Sequence, residues 1–201
     1  MDNASPGVTI RPLINICGFH SFNEVFFDNV RIPKRNVVGE MNKGWHYLMV
    51  ALDFERLIIP IGGFRRTFEE IVRYARETKR NGQALSQRPL IRNKLSDIAI
   101  QIEIAYMMFW QTAWMLDRGL VPNIEASLLK LFTTELSQKL ATAAMQVMGH
   151  YGQLEGTSKW SALHGRVCLG CLDCISALVG AGTSEIQRNI IAMRGLGLPA
   201  K

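Results

Sequence analysis

Two long stretches of this chain place an apolar residue at every third or fourth position, and that period leaves few folds open. Leu95, Ile98, Ile102, Ala105 and Phe109 form one series; Leu128, Leu131, Phe132, Leu136, Leu140, Ala143 and Val147 form the other. Each series marks one buried helix face. Between them, Asp117-Arg118-Gly119-Leu120-Val121-Pro122-Asn123 supplies a glycine stop and a proline ahead of the next helix, so the two helices are expected to run antiparallel. Helical periodicity starts at Lys43 and persists from there on. A bend is expected at Pro60, Gly62 and Gly63, because proline removes a helix hydrogen bond and crowds the preceding turn. With the helix before this pair and the helix after it, the pattern predicts a mainly α fold, an up-down four-helix bundle.

Residues 1–40 read differently. Short β-rich runs, Val8-Thr9-Ile10, Glu24-Val25-Phe26-Phe27 and Val30-Arg31-Ile32, are broken by Gly, Pro and Asn. Two or three strands cannot bury their own face and are marginal alone. The expected organisation is therefore the last strands of a β-domain and a linker over 1–40, then the helical bundle over 41–201.

At 201 residues and 48% hydrophobic, the chain can bury one sizeable core. The formal charge of +6 is dispersed, with no basic run interleaved with aromatics, so no nucleic-acid partner is expected. A basic surface also suits acidic small molecules such as phosphorylated thioesters. No stretch is expected to reach the length of a membrane span, and the acidic start is unlike a signal peptide, which points to the cytoplasm. Four cysteines do not make a disulfide framework.

Cys168, Cys171 and Cys174 form a C-x2-C-x2-C run like the start of a cluster-binding site, but Leu178 stands where a fourth cysteine belongs. Cys17 or His164 would be needed to complete a metal site. The favoured reading is structural, three small hydrophobes on one helix and no metal. Trp110, Trp114, Met107 and Met108 exceed what one core stripe needs. Core filling is one account; a subunit interface, where aromatics and Met are enriched, is slightly preferred.

Two segments carry chemistry. Leu52-Asp53-Phe54-Glu55-Arg56-Leu57 sets a carboxylate beside an arginine on an apolar helical stretch, and a buried acid with a cation at its side is a candidate general base. An ordinary ion pair at a helix surface is the other reading. Far downstream, Gly180-Ala181-Gly182-Thr183-Ser184-Glu185-Ile186-Gln187-Arg188 is a glycine-rich turn opening a final helix, where free backbone N–H groups suit an anion or a cofactor phosphate.

Four motifs in order resemble the acyl-CoA dehydrogenase family over nearly the whole chain. Phe26-Phe27-Asp28-Asn29-Val30-Arg31-Ile32-Pro33, with Asn36-Val37-Val38-Gly39-Glu40 and Gly44-Trp45, is similar to the junction between that family's middle β-domain and its C-terminal helical domain. The Asp53-Phe54-Glu55-Arg56 segment resembles a second motif, Gln146-Val147-Met148-Gly149-His150-Tyr151-Gly152 its glutamine-glycine turn, and Gly182 to Arg188 its closing signature.

The resemblance implies oxidation of an acyl-CoA thioester: a carboxylate takes the α-proton while the β-hydride passes to FAD. Many members carry that glutamate immediately before the Gly-Thr of the closing signature, where this chain has Ala181. Isovaleryl-CoA dehydrogenase-like members carry it instead in an Asp-x-Glu-Arg sequence, which implies Glu55 as the base. Asp53 and Arg56 are then neighbours of the acyl-CoA, with Arg56 also able to hold Glu55 ionised. Ala181 and Gly182 line the thioester site. Thr183 and Glu185 match positions that contact the flavin nucleotide, and Gln146, Gly149 and His150 match the turn that reaches the ADP part of FAD across a dimer. Glu155-Gly156-Thr157 mimics the usual Glu-Gly-Thr, but Ser158-Lys159-Trp160 follows it, and it reads as a loop.

One departure stands out. The family's arginine and phenylalanine for the neighbouring subunit's FAD belong around residues 78–81, where this chain reads Thr78-Lys79-Arg80-Asn81-Gly82, and Pro89 replaces its usual glutamine. Arg80 is the candidate to supply the charge from a shifted position. The expectation is thus the C-terminal part of an FAD-dependent acyl-CoA dehydrogenase, homodimeric or homotetrameric, passing electrons to an electron-transfer flavoprotein. The rival is a catalytically silent helical module for oligomerisation or partner binding.

Overall fold

The computed structural model describes residues 1–56 and 61–199, so the expected bend at Pro60 lies outside the described residues. Cα packing divides the chain into two compact units, Met1–Ala51 and Leu52–Lys201. In the first, β1 (Val8–Ile14) pairs antiparallel with β2 (His20–Phe27), Val8 opposite Phe27 and Leu13 opposite Phe22, with an irregularity between Leu13 and Ile14. Nearly every residue of this hairpin is exposed, as a single β-ribbon must be. The expected strand at Val30-Arg31-Ile32 does not form. Asn29 turns the chain at φ 50°, and Pro33 brings in a short 3-10 turn, Lys34–Asn36. Helix α1 (Gly44–Glu55) starts in this unit.

The second unit is helical. Helix α2 (Ile61–Glu77) carries Gly62 and Gly63 in its first turn. Two-residue strands β3 (Lys79–Arg80) and β4 (Gln83–Ala84) flank Asn81-Gly82, both at positive φ (53° and 76°), the backbone of a tight hairpin turn that Asn-Gly favours. Then come α3 (Pro89–Asp117), α4 (Asn123–Met148), α5 (Arg166–Val179) and α6 (Ser184–Ile190), the last running into a single π turn, Ile191–Gly195.

Side-chain pairs fix the directions. Lys94 near the start of α3 donates to Gln146 near the end of α4, and Lys139 reaches Gln101 at 3.0 Å, so α3 and α4 are antiparallel. Arg65, early in α2, meets Glu103 of α3 at 2.6 Å, and Arg166 and Val167 at the start of α5 line one groove with Leu140 and Ala144, late in α4. Helices α2 to α5 therefore alternate up and down, as expected.

The core joins Ile71, Ala75, Ile98, Ile102, Leu136, Leu140, Ala143 and Val147. One expected member is displaced: Leu128 is 38% exposed, while its neighbour Leu129 is fully buried. Helix α4 packs against α2, α3, α5 and α6, and a helix enclosed on several sides does not show a single stripe. Core filling by Trp110, Trp114 and Met107 is likewise overturned; they are 65%, 55% and 75% exposed on α3. Where no span-length stretch is expected, the run Ala162–Gly195 contains an 18-residue window with the mean hydropathy of a membrane span, 1.6. It is broken at Gly180–Gly182, and α5, at 14 residues, falls short of the roughly 20 a spanning helix needs.

The enclosure of α4 predicts a contrast in unfolding by urea. Leu136→Ala is expected to cost about 2–5 kcal/mol, whereas Leu128→Ala should stay within about 0.5 kcal/mol of the parent; equal losses would contradict this packing.

Candidate functional site

Helix α5 ends at Val179, and the Gly180 N–H closes its last turn on the Ser176 carbonyl at 3.0 Å. The chain then reverses through Ala181 (φ 54°) and Gly182 (φ 99°) before Thr183 caps α6, its Oγ1 accepting from the Ile186 N–H at 3.3 Å. Ala181 is held in the left-handed region that a Cβ disfavours by about 1–2 kcal/mol. At Gly182 the φ favours glycine, and a Cβ would lie 2.5 Å from Gln187 Nε2 and have to displace that buried amide.

What holds the turn is a set of donors aimed at its carbonyls. Arg56 Nε reaches the Ala181 oxygen at 3.4 Å, Gln187 Nε2 donates to both Ala181 and Gly182 oxygens at 3.2 Å, and Lys130 Nζ donates to Gly182 O at 2.6 Å and Leu178 O at 3.4 Å. All three side chains are buried: Arg56 and Lys130 are 3% exposed and Gln187 is 0%. Burial pushes the Lys130 ammonium below its ordinary pKa, and the nearby Arg56 charge pushes it further the same way. Two cations are thus kept inside by carbonyl dipoles, an arrangement a buried charge requires.

Among the predicted site residues, Arg56, Ala181, Gly182 and Thr183 come together here. Glu55 ends α1 and is exposed, which corrects the expectation of a buried acid. The reason is geometric. Consecutive helical residues point about 100° apart, and the Arg56 N–H continues the helix onto the Leu52 carbonyl at 3.1 Å, so the inward direction goes to Arg56. The Asp53 side chain lies outside what the structure describes. Glu185 is exposed in the first turn of α6; its own backbone N–H and the Thr183 hydroxyl hold its carboxyl below the usual range.

A second cluster forms where α4 ends. The Asn81-Gly82 hairpin aims Arg80 at the end of α4, and its guanidinium donates to the Met148 carbonyl at 2.8 Å beside Gly149 (φ 62°). Arg80, Gln146, Gly149 and His150 line one cleft of about 490 Å³ together with Met145, Tyr151 and Gln153. Thr183 and Glu185 are not among its lining residues. Along α4, Lys130 and Gln146 are about 24 Å apart at 1.5 Å per residue, so the predicted cofactor residues divide between two places.

Sequence reasoning passed over Lys130 and Gln187. The signal for Lys130 is a lone charge between Leu129 and Leu131 in an apolar run; Gln187 lies inside the closing signature, with nothing local to single it out. The Asn81-Gly82 hairpin was also legible and was not used. On α5, Cys174 is buried with its thiol 3.3 Å from the Cys171 carbonyl, and burial raises its pKa. Among the described residues no three His, Cys, Asp or Glu side chains converge as metal ligands would.

Residues 42–196 match the family of the acyl-CoA dehydrogenase C-terminal domain. The chain is 34% identical to the acyl-CoA dehydrogenase IpdE1 of Mycobacterium tuberculosis over 96% of its own length and 48% of that protein's. It is 31% identical to the "Probable acyl-CoA dehydrogenase YngJ" of Bacillus subtilis over 94% of its length and 49% of that protein's. Among solved structures, the ChsE4-ChsE5 complex of Mycobacterium tuberculosis superposes with a TM-score of 0.89 at 28% identity, covering 100% of this chain and 52% of that one. The chain spans about half the length of the curated relatives it matches.

Two measurements test the cap of α6. Thr183→Ala should cost about 1 kcal/mol of stability. Glu185 is ionised at lower pH in the folded chain than in the unfolded one, so its contribution is present above the unfolded value and lost as pH falls through the folded one. Stability curves of the parent and Glu185→Gln should therefore differ at neutral pH and converge in acid; parallel curves would remove the assigned interaction.

Proposed function

The chain belongs to the acyl-CoA dehydrogenase family, and on that premise we propose that it is the helical C-terminal part of an FAD-dependent enzyme that introduces an α,β double bond into an acyl-CoA thioester. The observation that carries this reading is the hydrogen bond from Arg56 to the Ala181 carbonyl, across 125 residues. It ties the Asp-x-Glu-Arg segment to the Gly-Ala-Gly turn, the two places where this chain departs together from the commoner placement of the base.

In this reading Glu55 takes the α-proton. A base works best when desolvated and near the operating pH, and an exposed carboxylate gains that environment once substrate and the rest of the enzyme cover it. Arg56, buried next to it, anchors the end of α1 to the turn. Asp53 stands as a neighbour of the acyl-CoA on the same segment. Ala181 and Gly182, small and backbone-defined, leave room for a bulky or branched acyl group.

The residues suit FAD. The cleft beside Gly149 offers a guanidinium, an imidazole and an amide to a polyanionic dinucleotide. At the other place, Thr183 and Glu185 flank the flavin side. FAD, when bound, accepts the β-hydride; Arg80, Gln146, Gly149 and His150 of this chain would hold its ADP portion. The separation of the two clusters supports a dimer in which each protomer serves parts of two cofactors. Exposed Trp110, Trp114 and Met107 on α3 support an interface in that homodimer or homotetramer. Residues 1–40 would then be the end of a β-domain, the electron acceptor an electron-transfer flavoprotein, and the compartment the cytoplasm.

The spectrum of the chain after incubation with FAD and desalting separates this from a silent helical module. A retained flavin band supports the enzyme reading for the chain itself. In a polypeptide that adds an N-terminal half of the length the relatives carry, Glu55→Gln should lower turnover about 10²–10⁴-fold with flavin retained. Undiminished turnover would sink Glu55 as the base.

A further inference from the structure

Lys130 is, among the described residues, the only buried lysine, and it sits where α4 faces the end of α5. Leu or Met would fill the same volume without the cost of burying a charge, so packing alone does not account for it. Its donors do. One reaches Leu178 O in the last turn of α5, and another reaches Gly182 O beyond the reversal, so a single ammonium spans the turn and pins it to the most enclosed helix of the bundle. Arg56 and Gln187 add donors to the same face of the turn.

The peptide plane gives this a direction. In a trans peptide the carbonyl of one residue and the N–H of the next point oppositely. With the Ala181 and Gly182 carbonyls drawn toward the buried donors, the N–H groups of Gly182 and Thr183 face the other way, and among the described residues neither has an acceptor. We propose that Lys130 is a positioning residue of the reaction: through the Leu178 and Gly182 carbonyls it sets the orientation of the Ala181–Gly182 backbone against which the acyl-CoA thioester lies. The proposal rests on the dehydrogenase reading above.

The test uses Lys130→Met, which keeps the volume and removes the donors, and Lys130→Arg, which keeps the charge. On the chain itself, amide NMR of Gly182 and Thr183 should shift strongly in the methionine variant and less in the arginine variant. In the polypeptide completed with an N-terminal half, the methionine variant should bind FAD normally and lose about 10²-fold in kcat, the scale of a small misplacement, with KM little changed and partial rescue by arginine. Unmoved amides, or a methionine variant with parental kcat, would overturn the proposal. An inactive, FAD-loaded parent would overturn the dehydrogenase reading instead, and the amide shifts would then decide Lys130 by themselves. Should the methionine variant not fold, Lys130→Gln takes its place under the same criteria.

Discussion

The enclosure of α4 is the constraint on which the bundle depends. It packs against α2, α3, α5 and α6, and its buried residues run from Ala126 to Met148. A helix so placed must be apolar on most of its circumference, so each polar group it buries needs an internal partner. Thr133 and Ser127 satisfy this locally by donating to carbonyls one turn back, at 2.6 and 2.9 Å. Lys130 is too long for that and sends its ammonium across to the turn between α5 and α6. The core and the candidate site are thus properties of one helix, with Lys130 in its first half and the Gln146–His150 turn at its end.

The turn at 178–183 illustrates how a charged interior can specify a backbone. Ala181 sits in a conformation its Cβ disfavours, and what offsets this is carbonyl hydrogen bonding to three buried side chains from three different elements. Hydrogen bonds from charged donors contribute roughly 1.5–3 kcal/mol each, enough to outweigh the backbone strain. Removing the donors would leave buried carbonyls without partners and a residue without reason to stay left-handed.

Around Arg80 the logic is different. Where the resemblance places an arginine and a phenylalanine, the chain makes a hairpin with the two-residue turn Asn81-Gly82, and this hairpin brings the Arg80 guanidinium to the end of α4. Arg80 caps the Met148 carbonyl, neutralising part of the helix's negative end while lining the cleft.

The period of the apolar residues, with Gly119 and Pro122 between the two series, was enough to read α3, α4 and their antiparallel pairing, because helix faces and turn residues depend on neighbours a few positions away. The same local reasoning misassigned Leu128, whose exposure depends on which helices surround α4, and placed a strand at Val30–Ile32 that finds no pairing partner among the described residues. The candidate site was legible in its residue types and its two segments, but not in its geometry. Glu55 and Arg56 are adjacent, equally polar, and sequence cannot choose which one turns inward. That choice is made by a carbonyl 125 residues away, at Ala181, and the role of Lys130 by another at Gly182. Sequence by itself determined the elements, since their causes are local; only the tertiary structure decided which charges are buried and what they hold, since burial is set by contacts that exist only once the helices have packed.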